Sequence, residues 1–240
     1  LTARTYIVKQ LRQDKQVGIL KGADVSDTET HQVYKNEDDL RKIWGPDFHK
    51  NMNKIRQAVY ETRGQIIVYN DEPIDASYFS TSNGYTEDAG NYWTKPVPYL
   101  KSVASPWDTE SPRFSGTISI PVKEFEKKLG VKITGDHIGE IVSRTGSNRV
   151  EKVKIGNKEF SGREIREALG LRSTDFTWEK KGNEIVITTK GYGHGIGMSQ
   201  YGANGMAKEG KTFEDIIRYY YKDVEIQEAA AFLDSYIAKK

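Results

Sequence analysis

Two short stretches hold residue types from which an acid–base site could be built. The first is Phe79-Ser-Thr-Ser-Asn-Gly-Tyr-Thr-Glu-Asp88. A Ser/Thr-rich strand runs into Asn83-Gly84, a turn signal because glycine reaches positive φ without a Cβ penalty. Thr86, Glu87 and Asp88 follow at once. Such a turn can hold the Glu87 carboxyl at the mouth of a cleft while the strand fixes its position. Tyr85, Tyr92, Trp93 and Trp107 lie close in sequence. A carboxyl among rings loses hydration, and its pKa is expected to rise toward the working pH, as a general acid in glycosidic-bond cleavage requires. The same residues also suit a solvated turn in which Thr86 or Asp88 caps a neighbouring element, and residue types alone leave both readings open.

The second stretch is Gly191-Tyr-Gly-His-Gly-Ile-Gly-Met-Ser-Gln-Tyr-Gly202, with five glycines in 12 positions. That density predicts backbone packed close to another element or to a ligand. Gly193, Gly195 and Gly197 give G-x-G-x-G, which fails the G-x-G-x-x-G spacing of a dinucleotide loop. His194 suits a catalytic base, a substrate donor, a metal ligand or a structural histidine. His31, His49 and His137 have no ligand-like spacing to it, and the chain has no Cys, so no metal or other cofactor is expected. Gly205-Met-Ala-Lys-Glu-Gly-Lys-Thr212 matches a phosphate-binding loop by letter, but a helical pattern precedes it and Thr212-x-x-Asp215 reads as an ordinary capping box. No nucleotide is expected there.

These stretches sit in a chain of 240 residues with 36 basic and 34 acidic side chains, a formal charge of +2. No Lys/Arg run forms a stripe for nucleic acid, and no apolar run is long enough to span a bilayer. The 14 tyrosines exceed ordinary usage; their rings suit sugar faces, and equally suit half-buried strand and helix positions.

Periodicity supplies the elements that must position the two stretches. Helices are expected over residues 1–14, Glu37–Trp44 (stopped by Gly45-Pro46) and Asn51–Arg63 (stopped by Gly64). An irregular exposed loop is expected over 15–36. Gln65–Tyr69 and Ile74–Ser82 read as a hairpin about Asn-Asp-Glu-Pro. Residues 83–113 lack periodicity, the mark of a functional loop. Further on come a helix at Pro121–Leu129, strands at Ile138–Arg144 and Arg149–Ile155, a capped helix opening at Ser161-Gly-Arg-Glu164, and a hairpin of Phe176–Glu179 with Glu184–Lys190. The expected fold is α+β: a mixed helix/sheet catalytic core (1–113 and 183–227) with an inserted smaller β/α lobe (114–182) forming a cleft, and a terminal tail (228–240). The lobe shows no catalytic constellation in its sequence.

Five motifs in order carry a resemblance: Ala3-Arg-Thr-Tyr6, Phe79–Glu87, Pro98-Tyr-Leu-Lys-Ser-Val103, Gly170-Leu-Arg-Ser-Thr-Asp-Phe176 and Gly191–Gly202. Together they resemble the stage II sporulation protein D family, and the match extends to about residue 226. The resemblance implies a lytic transglycosylase of peptidoglycan acting on glycan strands stripped of stem peptides, with Glu87 as acid/base. It also implies an N-terminal membrane anchor and an extracytoplasmic location, and cell-wall amidase and membrane-protein partners. The helix under way at Leu1 suggests that a segment carrying the anchor precedes it. Ser80, Ser82, His194, Gln200 and Tyr201 are the candidates for holding sugars. Where the family often has Gly-Gly, this chain has Asn83-Gly84, and Asn tolerates the left-handed conformation. Two rivals remain. One is a two-carboxylate hydrolase using Asp88 or Asp108. The other is a non-catalytic wall-binding module that stimulates an amidase, since the same domain occurs in a protein described as an amidase enhancer.

Overall fold

The computed structural model describes residues 1–13, 25–28, 33–93 and 95–237. The loop expected over 15–36 and His31 fall largely outside them. The fold is α+β, and its contacts divide the chain into two compact units: Leu1–Ala76 with Val224–Lys240, and Ser77–Asp223.

The first unit opens with helices α1 (Thr2–Gln13), α2 (Glu37–Trp44) and α3 (Phe48–Glu61), then strands β1 (Gln65–Tyr69) and β2 (Glu72–Pro73). The Asn36 side chain caps α2 by accepting from the Asp39 N–H at 2.8 Å. Asn70 and Asp71 both take positive φ, 49° and 58°, which gives the hairpin the twist its strands need. The hairpin partner of β1 is Glu72–Pro73, inside the expected turn, and of the strand expected over Ile74–Ser82 only Tyr78–Phe79 is strand, pairing in parallel with Met198–Ser199.

The second unit runs β3 (Tyr78–Phe79), α4 (Ala89–Tyr92), β4 (Ser115–Pro121), α5 (Val122–Leu129), β5 (Glu140–Arg144), β6 (Val150–Ile155), β7 (Lys158–Ser161), α6 (Gly162–Leu169), β8 (Asp175–Lys181), β9 (Glu184–Lys190), β10 (Met198–Ser199), α7 (Gln200–Lys208) and α8 (Phe213–Tyr220). The chain then returns to the first unit as β11 (Glu225–Glu228), which pairs antiparallel with β1, and α9 (Ala230–Ile237). Val8, Ile66, Val68 and Ala229 form that unit's small core, with Phe232 and Leu233 against it. Among the described residues, no helix is long and apolar enough to cross a membrane.

Two antiparallel sheets, ordered β4-β9-β8 and β5-β6-β7, share the larger core with α5 and α6. Along β9 the buried positions alternate, Ile185, Ile187 and Thr189, as period-2 geometry requires. Phe125, Val153, Ile165, Ile185 and Ile187 are fully buried, each worth roughly 1.5–3 kcal/mol of transfer free energy. The capping box of α6 forms as expected, with Glu164 N–H on Ser161 Oγ (3.1 Å) and Ser161 N–H on Glu164 Oε2 (2.7 Å). The 184–190 strand lies between β4 and β8, so the sheet that closes the 114–182 segment continues beyond residue 182. The Thr212–Asp215 box also forms, and helix α7 rather than a strand runs into Gly210, so the backbone of a phosphate-binding loop is not built here.

Candidate active site: a buried carboxyl in a nest of donors

Glu87 is 2% exposed. Its backbone is held from both sides. On one side Thr86 N–H bonds Val103 O at 2.8 Å, Thr86 Oγ1 accepts from Val103 N–H at 2.9 Å, and Ser102 Oγ donates to Thr86 O at 2.6 Å. On the other, Glu87 N–H bonds Gly195 O at 2.7 Å and Glu87 bridges Ile196 in parallel. The 98–103 and 191–202 motifs therefore clamp the Thr86–Glu87 segment between them.

The glycine run makes that clamp possible. Gly191, Gly193, Gly195 and Gly197 fall at every second position and face neighbours where a Cβ has no room. A Cβ on Gly197 would lie 2.0 Å from Ser77 O, and one on Gly195 would lie 2.6 Å from the Arg149 guanidinium. Both take φ between 75° and 89°, where only glycine sits without strain. The neighbour implied by the sequence is thus another element of the same unit: residues 77–83, together with Arg149.

Four groups donate to the Glu87 carboxyl. Asp88 N–H and Asn91 Nδ2 reach Oε1, both at 2.9 Å; Thr145 Oγ1 and Ser147 Oγ reach Oε2 at 2.6 and 2.8 Å. Behind them sits Arg149, which donates from Nη1 to Ser147 Oγ (2.7 Å) and from Nη2 to Tyr85 O (3.0 Å). Its Nε is buried with no hydrogen-bond partner among the described residues. Burial pushes the Arg149 guanidinium down to about 10, opposed by the charges of Glu87 and Asp175. A cavity of about 120 Å³ opens beside Glu87, and Asn91, Tyr92, Glu151 and Arg163 are also on its wall.

The surroundings of Glu87 differ from the ring cage expected. Tyr92 lines the cavity, but the groups in hydrogen-bond contact with the carboxyl are hydroxyls, amides and, one step back, a guanidinium. Trp107 instead packs on Tyr219 and bonds Glu209 through Nε1 at 2.7 Å. The 114–182 segment, which shows no constellation in sequence, supplies Thr145, Ser147 and Arg149. They sit on the β5–β6 connection Thr-Gly-Ser-Asn-Arg, whose composition signals only a turn. Asp175 of the 170–176 motif braces that connection: it pairs with Arg144 at 3.2 Å and accepts from Asn83 Nδ2 at 2.8 Å, while Asn83 also reaches Ser147 O.

The sequence-derived sugar contacts are dispersed. Ser82 is fully buried and donates to Asp108 Oδ2 at 2.8 Å, away from the cavity wall. Ser80 Oγ meets Thr81 Oγ1 at 3.2 Å, and Ser80 O accepts from Tyr201 N–H at 3.1 Å. His194 Nδ1 accepts from Ile196 N–H at 3.0 Å and Nε2 donates to Tyr78 O at 3.1 Å, so backbone engages both ring nitrogens. Gln200 is exposed and Tyr201 half-buried, at the start of α7. Of the two carboxylates considered as a second catalytic acid, Asp108 is sealed among serine hydroxyls. Asp88 caps α4 through Gly90 N–H and pairs with Lys101 at 3.2 Å. Glu151 is the second carboxylate on the cavity wall.

Fold and site define an α+β protein in which convergent loops bury the Glu87 carboxyl on the wall of a small cavity. The family model described as Stage II sporulation protein matches residues 1–69. Stage II sporulation protein D of Bacillus subtilis (strain 168) is 51% identical over 241 residues, covering 100% of this chain and 70% of that protein. The same-named protein of Bacillus amyloliquefaciens is 52% identical with the same coverage. The amidase enhancer of Bacillus subtilis (strain 168) is 30% identical over 92% of this chain and 36% of its own length. The chain belongs to the stage II sporulation protein D family.

Proposed function

We propose that this protein is a peptidoglycan lytic transglycosylase of sporulation. It cleaves the bond between N-acetylmuramic acid (MurNAc) and N-acetylglucosamine in strands that lack stem peptides, at the septal or engulfment wall, outside the cytoplasmic membrane and anchored to it. The observation that carries the reading is the Glu87 carboxyl: buried, fixed by four donors, and on the wall of a cavity. Glu87 in its acid form gives its proton to the glycosidic oxygen as the C1–O bond breaks, and positive charge develops at C1. Glu87, now a carboxylate, takes the proton of the sugar's own 6-hydroxyl as that oxygen bonds C1. The product ends in 1,6-anhydro-MurNAc, and no water is consumed. One carboxyl suffices because the nucleophile is already held on the substrate. The Thr145 and Ser147 hydroxyls can turn to donate or accept, so they serve both forms of Glu87.

Glu151 on the same wall favours hydrolysis as the second reading. The amidase-enhancer relative points to a cell-wall amidase as the partner that exposes stripped strands. Digestion of amidase-treated sacculi, followed by mass analysis, tests the proposal. Anhydro ends from wild type and none from Glu87→Gln are expected. Products heavier by one water would give the site to hydrolysis. No release by either, with amidase stimulation intact, would leave a non-catalytic module.

A further inference from the structure

The cavity beside Glu87 also has Arg163 and Tyr92 on its wall. Arg163 Nε donates to Glu167 Oε1 at 2.7 Å, one helical turn along α6, and its guanidinium lies over the Tyr92 ring, 4.8 Å from the centroid. Two contacts thus fix the plane of a half-exposed guanidinium. Among the described residues, no hydrogen bond uses its Nη groups. A planar fork with its outer edge left open is the arrangement that binds a carboxylate through two parallel hydrogen bonds. Arg149 is not placed for that task, being buried and committed to Ser147 and Tyr85. The volume of about 120 Å³ equals the share of roughly four water molecules. It is room enough for a substituent the size of a carboxylate.

Resting on the glycan reading above, we propose that Arg163 reads the free lactyl carboxylate of N-acetylmuramic acid. That group is an anion only after the stem peptide has been removed. While the peptide is attached, the same carbon is an amide: uncharged, with one acceptor oxygen. Selection of stripped strands then follows from charge recognition. The Glu151 carboxylate, whose Oε2 accepts from Ser143 Oγ at 2.9 Å, lies on the same wall and repels an anion placed away from the Arg163 fork.

The test separates binding from cleavage. Glu87→Gln protein is titrated with stripped glycan strands, and with the same strands after each lactyl carboxylate has been converted to its methylamide. The methylamide strands are expected to bind about tenfold or more weakly, the effect of losing one charge-assisted hydrogen-bonded pair. Adding Arg163→Gln abolishes the preference, and Arg163→Lys keeps part of it. Raising salt narrows the gap for Glu87→Gln protein. Equal binding of both strands, binding of neither, or a preference that survives Arg163→Gln overturns the proposal. Wild-type digestion is read independently: no anhydro product alongside an intact binding preference defeats the transglycosylase reading and leaves Arg163 in its role.

Discussion

Glu87 and Asp108 are both buried acids, 2% and 0% exposed, and each accepts four hydrogen bonds. Asp108 draws its donors from Ser82 N–H, Ser82 Oγ, Ser105 Oγ and Ser199 Oγ, and Ser105 also meets the Tyr220 hydroxyl at 2.6 Å. It ties the 80–84 turn, the Pro106–Glu110 turn, the N-cap of α7 and the α8 face into one knot. Burial pushes the Tyr220 hydroxyl upward, as a sealed phenol requires. Glu87 has as many donors but sits on a cavity wall, with Arg149 one bond behind Ser147. Number of hydrogen bonds therefore does not separate the two carboxyls. Access does: a group that exchanges a proton with a ligand must be reachable from one side.

That contrast breaks most sharply on activity. Glu87→Gln is expected to cut release of anhydro products by about 10²–10⁴-fold, measured on stripped strands, while Asp108→Asn keeps most of the rate. Comparable losses in the two variants would show that access is not what separates these acids. Stability should invert the order. Asp108→Ala strands several buried donors, at about 3 kcal/mol or more given 1–3 kcal/mol for each unsatisfied group. Glu87→Ala is expected to cost less, because water can enter through the cavity to take up its donors. Urea unfolding of both variants at neutral pH gives the comparison directly.

Ser147→Ala removes one donor to Glu87 and the link to Arg149. Its rate should fall roughly tenfold, the value of one charge-assisted bond. A shifted pH–rate profile and a small change in unfolding midpoint should accompany that loss. An unchanged profile would make the Arg149–Ser147 chain a packing feature only. The smallest effect lies outside both nests. Ser161 N–H, then its hydroxyl, hold the Glu164 carboxyl below the ordinary range. A carboxyl depressed on folding stabilises above its unfolded pKa and loses that contribution as pH falls through the folded value. Glu164→Gln should therefore flatten the acid limb of the stability curve and leave neutral activity unchanged.

Much of this is legible in the sequence. Glu37–Trp44, Glu184–Lys190, both capping boxes and the glycine stops are local patterns whose physics closes within one or two turns of chain. The turn motif around Glu87 and the glycine run announced themselves by composition. Thr145, Ser147 and Arg149 did not, because Thr-Gly-Ser-Asn-Arg is an ordinary turn whatever it faces. Ser82 and His194 are ambiguous in sequence for a related reason: hydroxyl and imidazole suit sugars and backbone equally, and only the fold shows that Ser82 meets Asp108 and that the His194 ring lies beside Tyr92 of the cavity wall. Asp88 and Asp108 looked equivalent as second acids until packing sealed one and paired the other.

The sequence by itself determined most of the longer helices, the capping boxes, the alternation along Glu184–Lys190 and the positions where only glycine can stand, since each depends on a residue and its near neighbours. Tertiary structure decided which carboxyl is reachable, which hydroxyls serve it, and that a guanidinium stands behind Ser147. Those facts arise from residues some sixty positions apart meeting in three dimensions, and no local spacing encodes burial or contact at that distance.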